Sequence, residues 1–183
     1  MTVQHLTLFQ RDRDYHEIRV LLLVNAVAHA HPTPGHVDGL TQLAKLDFLL
    51  RYPGLANRAL EELRTDDPRL HLSAPDAQNP EAPMRRHRYG PWDERYYTVV
   101  GALISRRLLQ SGNEGRSRVT LAPTPAGASV NEQARATPPW RRVADRCSVI
   151  AEAAGHLSGN RLSLLIRAHL PQIDTRRFGK VIR

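Results

Sequence analysis

The chain of 183 residues has a single cysteine, Cys147, and so cannot close a disulfide within itself. It has only two lysines, Lys45 and Lys180, among 26 basic residues, so its positive charge is almost entirely guanidinium. Aromatic residues make up 5%, which leaves aliphatic side chains to fill a core drawn from the 41% apolar fraction. No apolar run reaches the roughly 20 residues of a membrane span. The longest, Ile18 to Ala30, is interrupted by Arg19, Asn25 and His29. The opening residues, MTVQHLTLFQRDRD, lack a basic region followed by an apolar stretch and a small-residue cleavage site, so no secretory signal is expected. The expected location is cytoplasmic.

Catalytic motifs are also missing. There is no Gly-x-x-x-x-Gly-Lys-Ser/Thr phosphate loop and no Gly-x-Ser-x-Gly elbow. His29, His31 and His36 flank a proline-rich break without a cysteine or acidic partner at ligand spacing, so they read as structural histidines and no metal site is expected. Cys147 reads as a buried thiol rather than a nucleophile, although Arg146 beside it would lower its pKa. Glu61-Glu62 and Asp66-Asp67 read as a solvated acidic face. The expectation is a chain that is not an enzyme, with no cofactor, no small-molecule substrate and no membrane contact.

What the chain does have is charge asymmetry. Residues 1–83 carry 8 Lys+Arg against 11 Asp+Glu, and residues 84–183 carry 18 against 7. The planar guanidinium fork binds phosphates bidentately. A basic half steers toward acidic proteins as well as nucleic acid, so both partner classes stay open.

The apolar periodicity predicts helices over Tyr15–His31, Asp38–Tyr52, Leu55–Arg64, Asp93–Leu108, Trp140–His156 and Leu162–His169, and another opening at Thr124-Pro125. Asp14, Asp38, Asp93 and Thr124 are the predicted caps. Thr65 to Pro91, with five prolines, is predicted to be a long irregular insertion. Leu108–Gln110 and Arg118–Leu121 are predicted strands around a flexible tip, Ser111–Gly115. Pro138-Pro139 is predicted to separate a C-terminal part. The expected domains are an N-terminal helical segment (1–37), a winged-helix-like domain with the insertion (38–136, insertion 65–91) and a C-terminal helical extension (137–183). The fold class is mainly α with a small β-hairpin.

The order helix, break, helix, loop, helix, strand, Gly-rich tip, strand is that of a winged helix. In DNA-binding versions the recognition helix enters the major groove and the wing touches backbone. That would place Arg95, Arg106 and Arg107 near the duplex, and Arg116 and Arg118 on the wing. A solvated basic face and a protein-docking surface are the alternatives. The aromatic and basic run before the helix makes Arg85, Arg86, Arg88, Tyr89 and Trp92 candidate partner contacts. Tyr89-Gly-Pro-Trp-Asp93 also makes sense as a purely structural lead-in, with Gly90-Pro91 as a turn, Trp92 as a hydrophobic staple and Asp93 as a cap.

Three stretches carry a family resemblance: Leu43-Ala-Lys-Leu-Asp-Phe-Leu-Leu-Arg-Tyr-Pro53; Arg88-Tyr-Gly-Pro-Trp-Asp-Glu-Arg-Tyr96; and Ser158–Pro171 with Phe178-Gly-Lys-Val-Ile182. With them the chain resembles the middle component of ABC-three-component systems, the small winged-helix accessory subunit of Lamassu-type anti-phage defence. The resemblance implies a non-catalytic subunit. It would bind an SMC-like or ABC-type ATPase alongside an effector subunit, often a nuclease, with double-stranded DNA as a further contact. The alternative is a stand-alone winged-helix transcription regulator.

Overall fold

The computed structural model describes residues 13–63, 67–70, 84–87, 90–114, 118–170, 180 and 182. Seven α-helices and two antiparallel strand pairs fill these segments: α1 (Arg13–Ala30), α2 (Gly39–Arg51), α3 (Pro53–Glu62), β1 (Arg85–His87), β2 (Gly90–Trp92), α4 (Arg95–Ser105), β3 (Leu109–Glu114), β4 (Arg118–Pro123), α5 (Pro125–Ala136), α6 (Pro138–Ala154) and α7 (Gly159–His169). The fold is mainly α with small hairpins. No described helix is long and apolar enough to cross a membrane.

One apolar cluster runs through the molecule. Val20 to Val24 of α1, Leu43, Leu46 and Phe48 to Leu50 of α2, and Val99 and Leu103 of α4 belong to it, as do Val149 to Ala151 of α6 and Leu162 and Ile166 of α7. α1 is buried on nearly every side, which is why its sequence shows an apolar run rather than an amphipathic stripe. Polar side chains tie the edges. Gln42 accepts from the Asp38 N–H at 2.6 Å and donates to the Gly155 and Leu157 carbonyls at 3.1 and 2.8 Å. Tyr52 donates to the Ile182 carbonyl at 2.8 Å and accepts from the Met84 N–H at 2.9 Å.

β3 and β4 pair from Leu109↔Pro123 to Glu114↔Arg118, so the ladder runs through Ser111–Glu114, which the sequence suggested was a flexible tip. Antiparallel pairing along the whole ladder overrode the polar composition. Val37, just before α2, forms a bridge with Leu121 that lays a third chain segment along β4. Two further expectations are corrected. Pro138-Pro139 lies inside a helix rather than before it: it opens α6 directly after α5, where the missing N–H groups cost nothing. The insertion is not wholly irregular: β1 and β2 pair as Arg85↔Trp92, Arg86↔Pro91 and His87↔Gly90, and Pro68–Leu70 forms a 3-10 turn. Asp38 sits at the predicted cap position, but its side chain makes no cap hydrogen bond. Thr124 caps as expected, accepting from the Gly127 N–H at 3.0 Å with Pro125 in the first turn.

α4 ends at Ser105, three residues sooner than the periodicity suggested. The Leu108 N–H bonds to the Leu103 carbonyl and the Arg107 N–H to the Ile104 carbonyl, the paired closure of a Schellman end. That closure puts Arg107 at φ 57°, a position usually held by glycine. The chain then turns straight into β3, with Leu109 in the core.

Candidate functional site

Under the N-terminal half of α4 lies a buried ionic network that the sequence reading did not foresee. Its centre is Asp47 on α2, fully buried. Arg19 of α1 donates to both its oxygens, at 2.7 and 3.0 Å. The Tyr96 hydroxyl donates at 2.6 Å and Arg51, one turn along α2, lies at 3.4 Å. Arg51 also donates to Asp93 at 2.9 Å. Asp93 in turn takes the Arg95 guanidinium at 2.9 and 2.6 Å and the Arg95 backbone N–H at 3.1 Å. Two nitrogens of His16, also buried, lie 2.6 Å from Arg19 and Arg95.

The electrostatics follow from this geometry. Burial pushes the Asp47 carboxyl up, but the charges of Arg19 and Arg51 and the bonds from Arg19 and Tyr96 outweigh it and hold the group below the ordinary carboxylate range. Asp93 is likewise held well below that range, burial being outweighed by Arg95 and Arg51. Burial, then the Asp47 charge, pushes the Tyr96 phenol well above its ordinary value. Asp47 and Asp93 are thus ionised near neutrality and Tyr96 is a neutral donor, and together with the arginines they tie α1, α2 and α4 to one another. Burial pushes the Cys147 thiol up to about 12, against the opposing charge of Arg146, so the burial expected from the sequence outweighs the arginine beside it. Among the described residues no group of three His, Cys, Asp or Glu could hold a metal ion.

The candidate contact residues are dispersed around this network. Arg95 opens α4 and turns back onto Asp93 and His16 while 45% of its side chain stays exposed. Arg106 caps the other end and reaches across to Glu17 of α1, which it shares with Arg13; 53% of it is exposed. The two arginines thus converge on the first turns of α1. Arg107 is exposed at the base of the β3–β4 hairpin. Arg118 is the first residue of β4, opposite Glu114. Arg85 is exposed on β1, Arg86 faces Pro91 across the ladder, and Trp92 opposes Arg85. The half-buried Trp92 packs its ring 5.4 Å from Tyr96 and 5.8 Å from Tyr97. Arg88, Tyr89 and Arg116 lie outside the described residues. So does most of the basic tail from Asp174 onward.

Between the exposed Arg95 at one end of α4 and Arg106 at the other, the residues turned outward are neutral, with Glu94 just before the helix. Glu94, Tyr97, Thr98, Gly101 and Ser105 form the exposed side, and Tyr97 is 68% exposed. A Cβ placed on Gly101 would meet nothing within 4 Å. Compared with protein-family models, curated proteins and solved structures, the chain matches none of them.

The network left a trace in the sequence. Arg19 interrupts the longest apolar run, and Asp47 and Arg51 stand one turn apart in a strongly apolar helix. A charged residue in such a setting is rarely buried unless it is paired. The partner of each could not be read from sequence, because the pairings join positions 28 and 42 residues apart.

Proposed function

We propose that this chain is a non-catalytic accessory subunit of an SMC-like or ABC-type ATPase complex of anti-phage defence, working in the cytoplasm beside an effector subunit and docking on the ATPase through the outward face of α4. The observation that carries this reading is the character of that face. On this reading α4, which follows α2, α3 and the β1–β2 pair and precedes the β3–β4 hairpin, takes the part of the recognition helix of a winged-helix module. Yet it presents Tyr97, Thr98, Gly101 and Ser105 outward while Arg95 and Arg106 fold back onto carboxylates. A neutral helix face with an exposed tyrosine suits a protein surface better than a phosphate-lined groove. The resemblance of Leu43–Pro53 and Arg88–Tyr96 to the middle component supplies the kind of partner.

The test is co-purification. Tagged chain from its native host should bring down a large ATPase identified by mass spectrometry as SMC-like, and Gly101→Arg or Tyr97→Asp should abolish that while leaving thermal unfolding unchanged. A preparation that brings down no such ATPase sinks the reading; one that keeps the ATPase despite both substitutions sinks the assignment of the face.

The stand-alone regulator has one observation in its favour, the exposed Arg106 and Arg107 at the base of the hairpin. It requires a symmetric dimer on a palindromic site. Under it, Arg106→Glu with Arg116→Glu weakens duplex binding and flattens its salt dependence in mobility-shift titrations. Binding that these substitutions leave unchanged shows that these arginines are only a solvated face.

A further inference from the structure

The first turns of α1 and the end of α4 meet on one carboxylate. Glu17 is buried, and its two oxygens are taken by different guanidiniums. Arg13 donates from Nε to Oε1 at 2.7 Å, and Arg106 donates from Nη1 to Oε2. Arg13 lies one turn before Glu17 on α1, whereas Arg106 reaches it from the end of α4, 89 residues along the chain. One guanidinium is enough to neutralise one carboxylate. The second leaves the trio with a net positive charge.

That surplus charge is both fixed and accessible. A guanidinium has five N–H donors, and Glu17 engages Nε of one arginine and Nη1 of the other. The two side chains stay 57% and 53% exposed, so donors of both remain turned toward water. Two long side chains are thus held side by side, which lowers the ordering cost of gripping a ligand. Arg107, the next residue along, is exposed as well, its backbone set by the closure at the end of α4. Asp14, beside Arg13, is the exposed acid of the first turn of α1, and Ser105 and Gln110 are exposed and neutral. The exposed large hydrophobics Val119, Leu164 and Tyr97 lie on β4, on α7 and in the first turn of α4. No such apolar anchor, the usual mark of a protein interface, accompanies the arginines on α1 or at the end of α4.

We propose that Arg13 and Arg106, set by the buried Glu17, form a clamp for one backbone phosphate of double-stranded DNA, with Arg107 alongside. A planar carboxylate is satisfied by the fork of one guanidinium. A tetrahedral phosphodiester offers its oxygens to two guanidiniums that come from different helices. The clamp touches no base edge, so its binding is independent of sequence. Glu17 acts as a positioning residue. The sequence pointed to Arg106 together with the wing; Arg13 and Glu17 enter only through the tertiary contact. The clamp lies about two and a half turns along α4 from Tyr97, so it stands whether or not that face docks on an ATPase.

Fluorescence anisotropy on the full chain tests it, with two labelled duplexes of unrelated sequence and a labelled poly-glutamate peptide, each titrated over a series of salt concentrations. The two duplexes bind equally, and poly-glutamate binds at least about tenfold more weakly. Arg13→Ala and Arg106→Ala each weaken both duplexes about five- to tenfold and lower the slope of log affinity against log salt by about one. Each of them leaves Glu17 with its other arginine, so the fold is kept. Arg106→Lys retains the charge and loses the fork; it weakens a clamp about threefold or more and leaves a diffuse positive surface unaffected. Arg161→Ala, at an exposed arginine of α7, serves as the control and leaves the slope in place. The proposal is overturned by absent duplex binding, by affinity unchanged in both alanine variants, or by an equal loss in Arg161→Ala. Indifference to Arg106→Lys, or poly-glutamate bound as tightly as the duplexes, overturns it too.

Discussion

At the scale of single residues, charge burial governs what this protein tolerates. Asp47 neutralises two arginines that are themselves out of water, Arg19 and Arg51. Removing one partner of such a cluster leaves the others uncompensated, at a cost of about 3–5 kcal/mol. Asp47→Asn should therefore lower the urea midpoint sharply; a loss below about 1 kcal/mol would mean that water reaches the site. Lys45 is the opposite case, a buried ammonium that donates to a carbonyl, with no carboxylate against it among the described residues. Its folded pKa, about 8, lies below its ordinary 10.5. Between those values the unfolded chain binds more protons than the folded one, so this group adds stability as pH rises from 8 to 10.5, about 3 kcal/mol in all. Cys147, raised to about 12 from 9.0, acts the other way above pH 9. The Lys45 contribution is therefore read as the difference between the wild type and Lys45→Met. Lys45→Met is expected to be the more stable protein at pH 7, with the gap closing toward pH 10. A gap that does not change with pH would refute the assignment.

At the scale of elements, the end of α4 shows how local strain is tolerated for a connection. The Schellman closure requires a left-handed residue at Arg107, because only then can the chain enter β3 with Leu109 facing the core. Arg107→Gly should raise stability by up to about 1 kcal/mol, and Arg107→Val should lower it by about 1–2 kcal/mol. Denaturant midpoints that shift the same way for both would contradict this account. The lead-in to the same helix was largely legible. Trp92 packs near Tyr96 and the Asp93 carboxylate accepts the Arg95 N–H, but the helix starts at Arg95 with Glu94, not Asp93, at the cap position and no side-chain cap bond there. The hairpin was legible in position but not in extent. Ser111 to Glu114 look like a tip by composition, and only pairing with Arg118 to Leu121 makes them strand.

For the whole molecule, two of the three segments that suggested a family meet in the buried network, and the third meets the first where Tyr52 donates to the Ile182 carbonyl. Asp47 and Arg51 come from the first, Asp93, Arg95 and Tyr96 from the second, and Ser158 of the third caps α7. Arg19, from the apolar run, completes the cluster. Asp47 and Asp93 both have depressed folded pKa values, so their stability is present above the ordinary carboxylate range near 3.8 and is lost as pH falls below it. Thermal unfolding is expected to be flat from pH 5 to 7 and to fall steeply below about pH 4, with the drop reduced in Asp93→Asn. An equal drop in that variant would assign acid sensitivity to other carboxylates. The sequence by itself determined the helix positions, the Thr124 cap and the mainly helical class, because periodicity and capping act within a few residues of the chain. Only the tertiary structure decided which charges are buried together and which way the arginines of α4 turn. Those pairings depend on which helices touch, and a linear pattern carries no record of that.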